Sequence, residues 1–173
     1  MTGTRLLLLA IAAMAPLVTA CDDDEGPPDD ATQFSAALTG EEEVPPVPTT
    51  ASGDASLEVE DDAITYTINV TGLENPVVAH IHIGEIGANG PVRLNLCGTG
   101  APVPDCAVGD GVLVTGTNGT TVGTPAVTFD ELVEAMRSGG AYVNVHTDDG
   151  VGAQNTGPGD MASGEIRGQI VAE

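Results

Sequence analysis

"ASLEVEDDAITYTINV", residues 55–70, decides the architecture. Ala55, Leu57 and Val59 alternate with polar neighbours, and Ile64, Tyr66, Ile68 and Val70 do the same, which is the two-residue period of strands with one face in a core. Asp61 and Asp62 separate the two runs, so the stretch predicts a β-hairpin with a tight turn. The same alternation recurs on both sides of it. Phe34, Ala36 and Leu38 share a face in "FSAAL", and further strands are expected at 78–83, 92–96, 111–115, 141–146 and 164–171. About eight short strands separated by Gly, Pro and Asn predict an all-β domain, an antiparallel β-sandwich or Greek-key barrel.

One segment breaks the pattern. In "TFDELVEAMRSGG", residues 128–140, Phe129, Leu132, Val133 and Met136 recur at helical spacing. Thr128 and Glu131 have the spacing of a capping box, and Gly139 is a natural stop. One short helix covering a sheet edge or barrel end is expected.

Composition narrows the function. There are 26 acidic residues against four basic ones, a net charge of −22, which excludes affinity for nucleic-acid phosphates and disfavours anionic partners. Such a surface either keeps the protein soluble, as in high salt, or attracts cations. With two Phe, two Tyr and no Trp, the core must be built from many small aliphatic contacts.

The amino terminus points out of the cytoplasm. "MTGTRLLLLAIAAMAPLVTAC" has one early Arg, an apolar run too short for a stable membrane span, and small residues before Cys21. Residues 1–20 read as a signal peptide. "LVTAC" resembles the bacterial lipobox, with Val18 where Leu is usual. That resemblance implies cleavage after Ala20, acylation of Cys21 and an anchor in the cell envelope facing outside the cytoplasm; plain secretion with an incidental thiol is the other reading. Residues 21–32, including "DDDEGPPDDAT", have almost nothing to bury and are expected to form a disordered acidic tether. The folded domain is then 33–173. If Cys21 is acylated, Cys97 and Cys106 remain as a pair at the ends of "CGTGAPVPDC", where a loop-stapling disulfide is expected, with two structural thiols as the alternative.

Three histidines are the chemically interesting residues. In "AHIHI", Ala79, Ile81 and Ile83 take one face of a strand and His80 and His82 the other. In "AYVNVHT", Val143 and Val145 turn inward while Tyr142, Asn144 and His146 share the opposite side. In "GEIRGQI", Glu165, Arg167 and Gln169 oppose Ile166 and Ile170. If these strands are neighbours, His80, His82, Asn144, His146, Glu165, Arg167 and Gln169 form one polar cluster. Three imidazoles plus a carboxylate would suit copper or zinc; the alternative is a network in which Glu165 and Arg167 pair with nearby histidines and backbone and fix strand register. The acidic runs "GEEEVPPVP" and "TDDG" lack the ligand spacing of a calcium loop and are expected to be solvated. No nucleophile elbow, phosphate-binding loop or H-E-x-x-H helix is present, which argues against an enzyme.

These segments together resemble the CHRD domain, the module named for its repeats in chordin. The matching residues are "FSAALTGEEEVPPV" (34–47), "ASGDASLEV" (51–59), "TYTINVTGL" (65–73), "AHIHIGEIGANGPV" (79–92), "AYVNVHT" (141–147) and "GEIRGQI" (164–170). The likeness implies an all-β extracellular domain, and it assigns no catalytic residue. Where the family joins the last two motifs closely, this chain inserts "DDGVGAQNTGPGDMAS", expected to be a long mobile loop. "AHIHIGEIGANG" is also similar to the copper-binding strand of copper/zinc superoxide dismutase, a likeness that carries over to His80 and His82 alone. The resulting expectation is a membrane-anchored, extracytoplasmic binding or structural module without catalysis, whose polar strand face meets an unknown protein or ligand. The alternative is a copper- or zinc-binding envelope protein, redox-active in its furthest form, with ligands His80, His82 and His146.

Overall fold

The computed structural model describes residues 30–98 and 102–173. The expected signal peptide, Cys21 and most of the expected acidic tether lie outside the described residues. Among the described residues, nine strands and one helix follow in the order β1 (Gln33–Thr39), β2 (Ser52–Glu60), β3 (Ala63–Thr71), β4 (Pro76–Ile83), β5 (Val92–Cys97), β6 (Gly111–Asn118), α1 (Phe129–Arg137), β7 (Ala141–Thr147), β8 (Ile166–Gln169) and β9 (Val171–Ala172). A 3₁₀ turn at Gly40–Glu42 follows β1.

The strands form one antiparallel sheet in the order β5-β4-β7-β8-β1-β2-β3-β6, with β9 added to β1. It curls into a nearly closed barrel. The ends approach where Leu94 bridges Thr121, Val122 N–H donates to the Arg93 carbonyl, and Asn118 Nδ2 donates to the Asn95 carbonyl. Tyr66 adds a buried 2.6 Å hydrogen bond from its hydroxyl to the Leu96 carbonyl, so its ring fills the interior while its polar tip is satisfied.

The alternation that predicted the strands is the alternation of burial. Phe34, Ala36, Leu38, Ala55, Leu57, Ile64, Tyr66, Ile68, Val70, Ala79, Ile81, Val143, Val145, Ile166 and Ile170 are all buried in one core. The β2–β3 hairpin turns at Asp61–Asp62, with Asp61 at φ 50°. In α1, the Thr128 hydroxyl accepts from Glu131 N–H while the Glu131 carboxylate accepts from Thr128 N–H, the expected capping box. Leu132 and Met136 of α1 enter the core.

Three expectations are corrected. The strand expected at 164–171 is two strands, because the chain pairs with β7 through Gln169 and then passes to β1 at Val171. The folded body begins before residue 33: Ala31 is buried, Thr32 accepts from Val59 N–H, and Arg137 Nε donates to the Ala31 carbonyl. The insertion after β7 is tied down rather than free. Met161 N–H donates to Thr147 Oγ1, Thr147 N–H to the Met161 carbonyl, and Ser163 N–H to Asn155 Oδ1. Cys97 and Cys106 form a disulfide.

Candidate metal centre

The three strands that carry the polar residues are neighbours, β4 pairing with β7 and β7 with β8. Their register places His80 opposite Asn144, His82 opposite Tyr142, Val78 opposite His146, Asn144 opposite Arg167 and Tyr142 opposite Gln169. One sheet face therefore gathers every expected residue. That face points away from the aliphatic core, yet it is not open to solvent: His82, Asn144, Glu165 and Arg167 are buried. Segments that the strand pattern could not place lie over it, namely 40–50 after β1, 84–90 after β4 and 148–164 after β7.

Each segment supplies oxygen atoms or N–H groups that fix a side chain on the face. The carboxylate of Glu165 accepts three 2.7 Å hydrogen bonds, from Thr49 Oγ1, Thr147 Oγ1 and Gly159 N–H. Arg167 donates to the Glu85 carbonyl and to Asn89 Oδ1, and Gln169 donates to the carbonyls of Gly84 and Gly139. The expected pairing of Glu165 and Arg167 with the histidines does not form; both residues tie loops to the sheet.

The histidines turn toward one another. One ring nitrogen from each of His80, His82 and His146 lies within 4.8 Å of the other two. Two of the rings have their tautomer set by backbone. His82 Nδ1 donates to the Gly90 carbonyl at 2.8 Å, and His146 Nδ1 donates to the Ala162 carbonyl at 3.0 Å. A neutral imidazole that donates through Nδ1 keeps a lone pair on Nε2. The His146 lone pair accepts from His80 Nδ1 at 3.4 Å, while His82 Nε2 is buried with no hydrogen-bond partner. Two nitrogens bound to one ion at ordinary bond lengths stand about 3.3–3.6 Å apart, so the His80–His146 pair is already at ligand spacing.

Burial keeps all three rings neutral. It is the largest cause in each, pushing His80 down to about 3 and His82 down to about 4, with the neighbouring imidazoles adding to the shift. His146 is lowered for the same reason. Neutral His82 and His146, each with Nδ1 held by a carbonyl and Nε2 left as a lone pair toward the group, have the arrangement that imidazole ligands adopt around a metal.

Glycine makes this close approach possible. Gly90 lies so near the end of β4 that a Cβ would stand 1.7 Å from the Ile83 carbonyl oxygen. Only there can its carbonyl meet His82 while its N–H donates to the Tyr142 hydroxyl at 3.0 Å.

Two acidic stretches end up differently. Glu41 and Glu42 are exposed as expected, but Glu43 is buried against Asn144, which donates Nδ2 to its carboxylate at 3.4 Å. Burial pushes Glu43 up to about 7, against the opposing pull of Arg167. No periodic signal marked Glu43, because it lies in an irregular loop. Asp148, Asp149 and Asp160 bring oxygens within 4.8 Å of each other. Those oxygens serve the loop itself, accepting from Gly150 N–H, Gln154, Val151 N–H and Thr156.

The family model for the CHRD domain matches residues 34–170 of this barrel, and the chain belongs to that family. No curated protein sequence matches the chain as a relative. The matched range includes all three histidines and the strands that position them.

Proposed function

We propose that this CHRD-domain protein is a lipid-anchored module of the cell envelope that binds a late transition-metal ion, copper or zinc, through His80, His82 and His146, and has no catalytic role. The convergence of three neutral imidazole nitrogens within 4.8 Å carries the reading. The buried, unpartnered Nε2 of His82 supports it, since a desolvated lone pair costs free energy that a bound ion would offset. Binding is favoured over proton transfer because rings held at about 3 and about 4 are poor bases near neutral pH. The carbonyls on His82 and His146 also orient ligands better than they relay protons.

The anchor follows from the signal peptide and the lipobox-like "LVTAC", with the acidic segment as tether. The domain would then face outside the cytoplasm.

Calorimetric titration of metal-stripped full-length protein in detergent with copper and zinc tests the site. Wild type should bind with a Kd of about a micromolar or tighter, and a variant with His80, His82 and His146 all changed to Ala should not. No binding by a folded wild type defeats the proposal. Mass spectrometry of membrane-extracted protein should find a lipid on Cys21, and an unmodified thiol there would defeat the anchor.

A further inference from the structure

We propose that the ion held by His80, His82 and His146 is copper in its monovalent state, which rests on the metal reading above and deepens it. Charge is the first argument. All three donors are neutral, and the cluster contains no fourth His, Cys, Asp or Glu among the described residues. Cys97 and Cys106 are committed to their disulfide and offer no thiolate. A buried positive charge acts on the site from behind Tyr142. Tyr142 stacks on His82, and the Arg167 guanidinium carbon stands 3.5 Å from the centroid of the Tyr142 ring.

Arg167 is 1% exposed, and its hydrogen bonds go to uncharged oxygens of Glu85 (backbone), Asn89 and Gln169. The carboxyl that shares its surroundings, Glu43, is itself driven toward its neutral form by burial. The buried carboxylate of Glu165 is spent on hydrogen bonds from Thr49, Thr147 and Gly159, so a cation among the imidazoles has no carboxylate among its ligands.

The cost of burying an ion grows with the square of its charge, so a divalent ion costs about four times as much here as a monovalent one. Zinc seeks four ligands and would have to import an anion such as hydroxide to complete its shell and lower its charge. Cuprous copper, a closed-shell monovalent ion, is satisfied by three neutral nitrogens. The net charge of −22 does not reverse this preference. Exposed carboxylates are screened over about 8–10 Å, whereas Arg167 acts through protein at one ring's remove.

Coordination through His80 requires one local change. Its Nδ1–H now donates to His146 Nε2. Moving that proton to Nε2 of the same ring frees the Nδ1 lone pair without creating charge.

The test compares three ions on the metal-stripped, full-length protein in detergent. Cu(I) affinity is measured anaerobically against bicinchoninate, and Cu(II) and Zn(II) affinities against competing chelators. Cu(I) should bind at least about 100-fold tighter than either divalent ion. Tighter binding of Zn(II) or Cu(II) overturns the inference while leaving the metal site standing; failure of all three ions overturns the metal reading itself. Arg167→Gln should narrow the gap between Cu(I) and Zn(II) by about tenfold. An unchanged gap in a folded variant overturns the electrostatic basis, and if the variant does not fold, the wild-type ratios decide.

Discussion

Tyr142 lies flat on His82, with ring centroids 4.8 Å apart and planes 11° apart. The contact is more than packing, because both side chains converge on Gly90: His82 donates to its carbonyl and Tyr142 accepts from its N–H. The loop at 84–90 is thereby clamped to the ring whose Nε2 faces the other histidines. Tyr142→Phe should lose the Gly90 bond and cost about 1 kcal/mol. Tyr142→Leu should cost roughly 2–4 kcal/mol, since it also removes the ring between His82 and Arg167. Urea denaturation of the two variants checks the order, and equal losses would mean that the stack contributes nothing.

The neutral histidines make the metal-free protein sensitive to acid. Their folded-state pKa values lie below the value of 6.5 for an unburied imidazole, so the unfolded chain takes up protons first. Stability from these groups is complete above about pH 6.5 and is lost as pH falls from there toward about 3. Urea midpoints should decline over that window. NMR should show His80 and His82 still unprotonated at about pH 5.5, where ordinary histidines are charged; imidazole signals titrating near 6.5 would contradict this.

Glu43 works in the opposite direction. Its folded pKa of about 7 lies above the ordinary 4.5, so the folded state holds the proton more tightly and stability falls as pH rises from about 4.5 through 7. Glu43→Gln keeps the shape and removes the charge. The variant should be more stable than wild type at pH 8, by on the order of 3 kcal/mol, with the difference vanishing near pH 4. A pH-independent difference in urea midpoint would refute the assignment.

Glu165 secures three segments at once through Thr49, Thr147 and Gly159. Glu165→Ala leaves those donors buried without an acceptor and should cost roughly 3–5 kcal/mol. Glu165→Gln retains one oxygen and should cost less. Hydrogen exchange would locate the loss: Gly159 N–H should lose protection while the β2–β3 hairpin keeps it until global unfolding.

The strands were legible because each has one face in the core, and burial on one face writes a period of two into the chain. Ile64, Tyr66, Ile68 and Val70 show this without interruption. The capping box of α1 was legible for a similar reason, since Thr128 and Glu131 satisfy each other within one turn. The placement of His80, His82 and His146 on a common type of face also follows from local alternation.

What the alternation could not supply was depth and partnership. It assigned Glu165 and Arg167 to the face away from the core, which is correct, but away from the core proved to mean under loops rather than in water. Glu43 looked like one of three solvated glutamates until the turn after β1 carried it onto Asn144. Local periodicity alone therefore determined the strands, the helix and which side of each strand is polar, because those depend on neighbours two to four residues away. The tertiary structure alone decided that β4, β7 and β8 are adjacent, that Gly90 and Ala162 hold two imidazoles, and that the three rings meet. Those contacts join residues far apart in the chain, and only the register of the closed sheet brings their nitrogen atoms within reach of one ion.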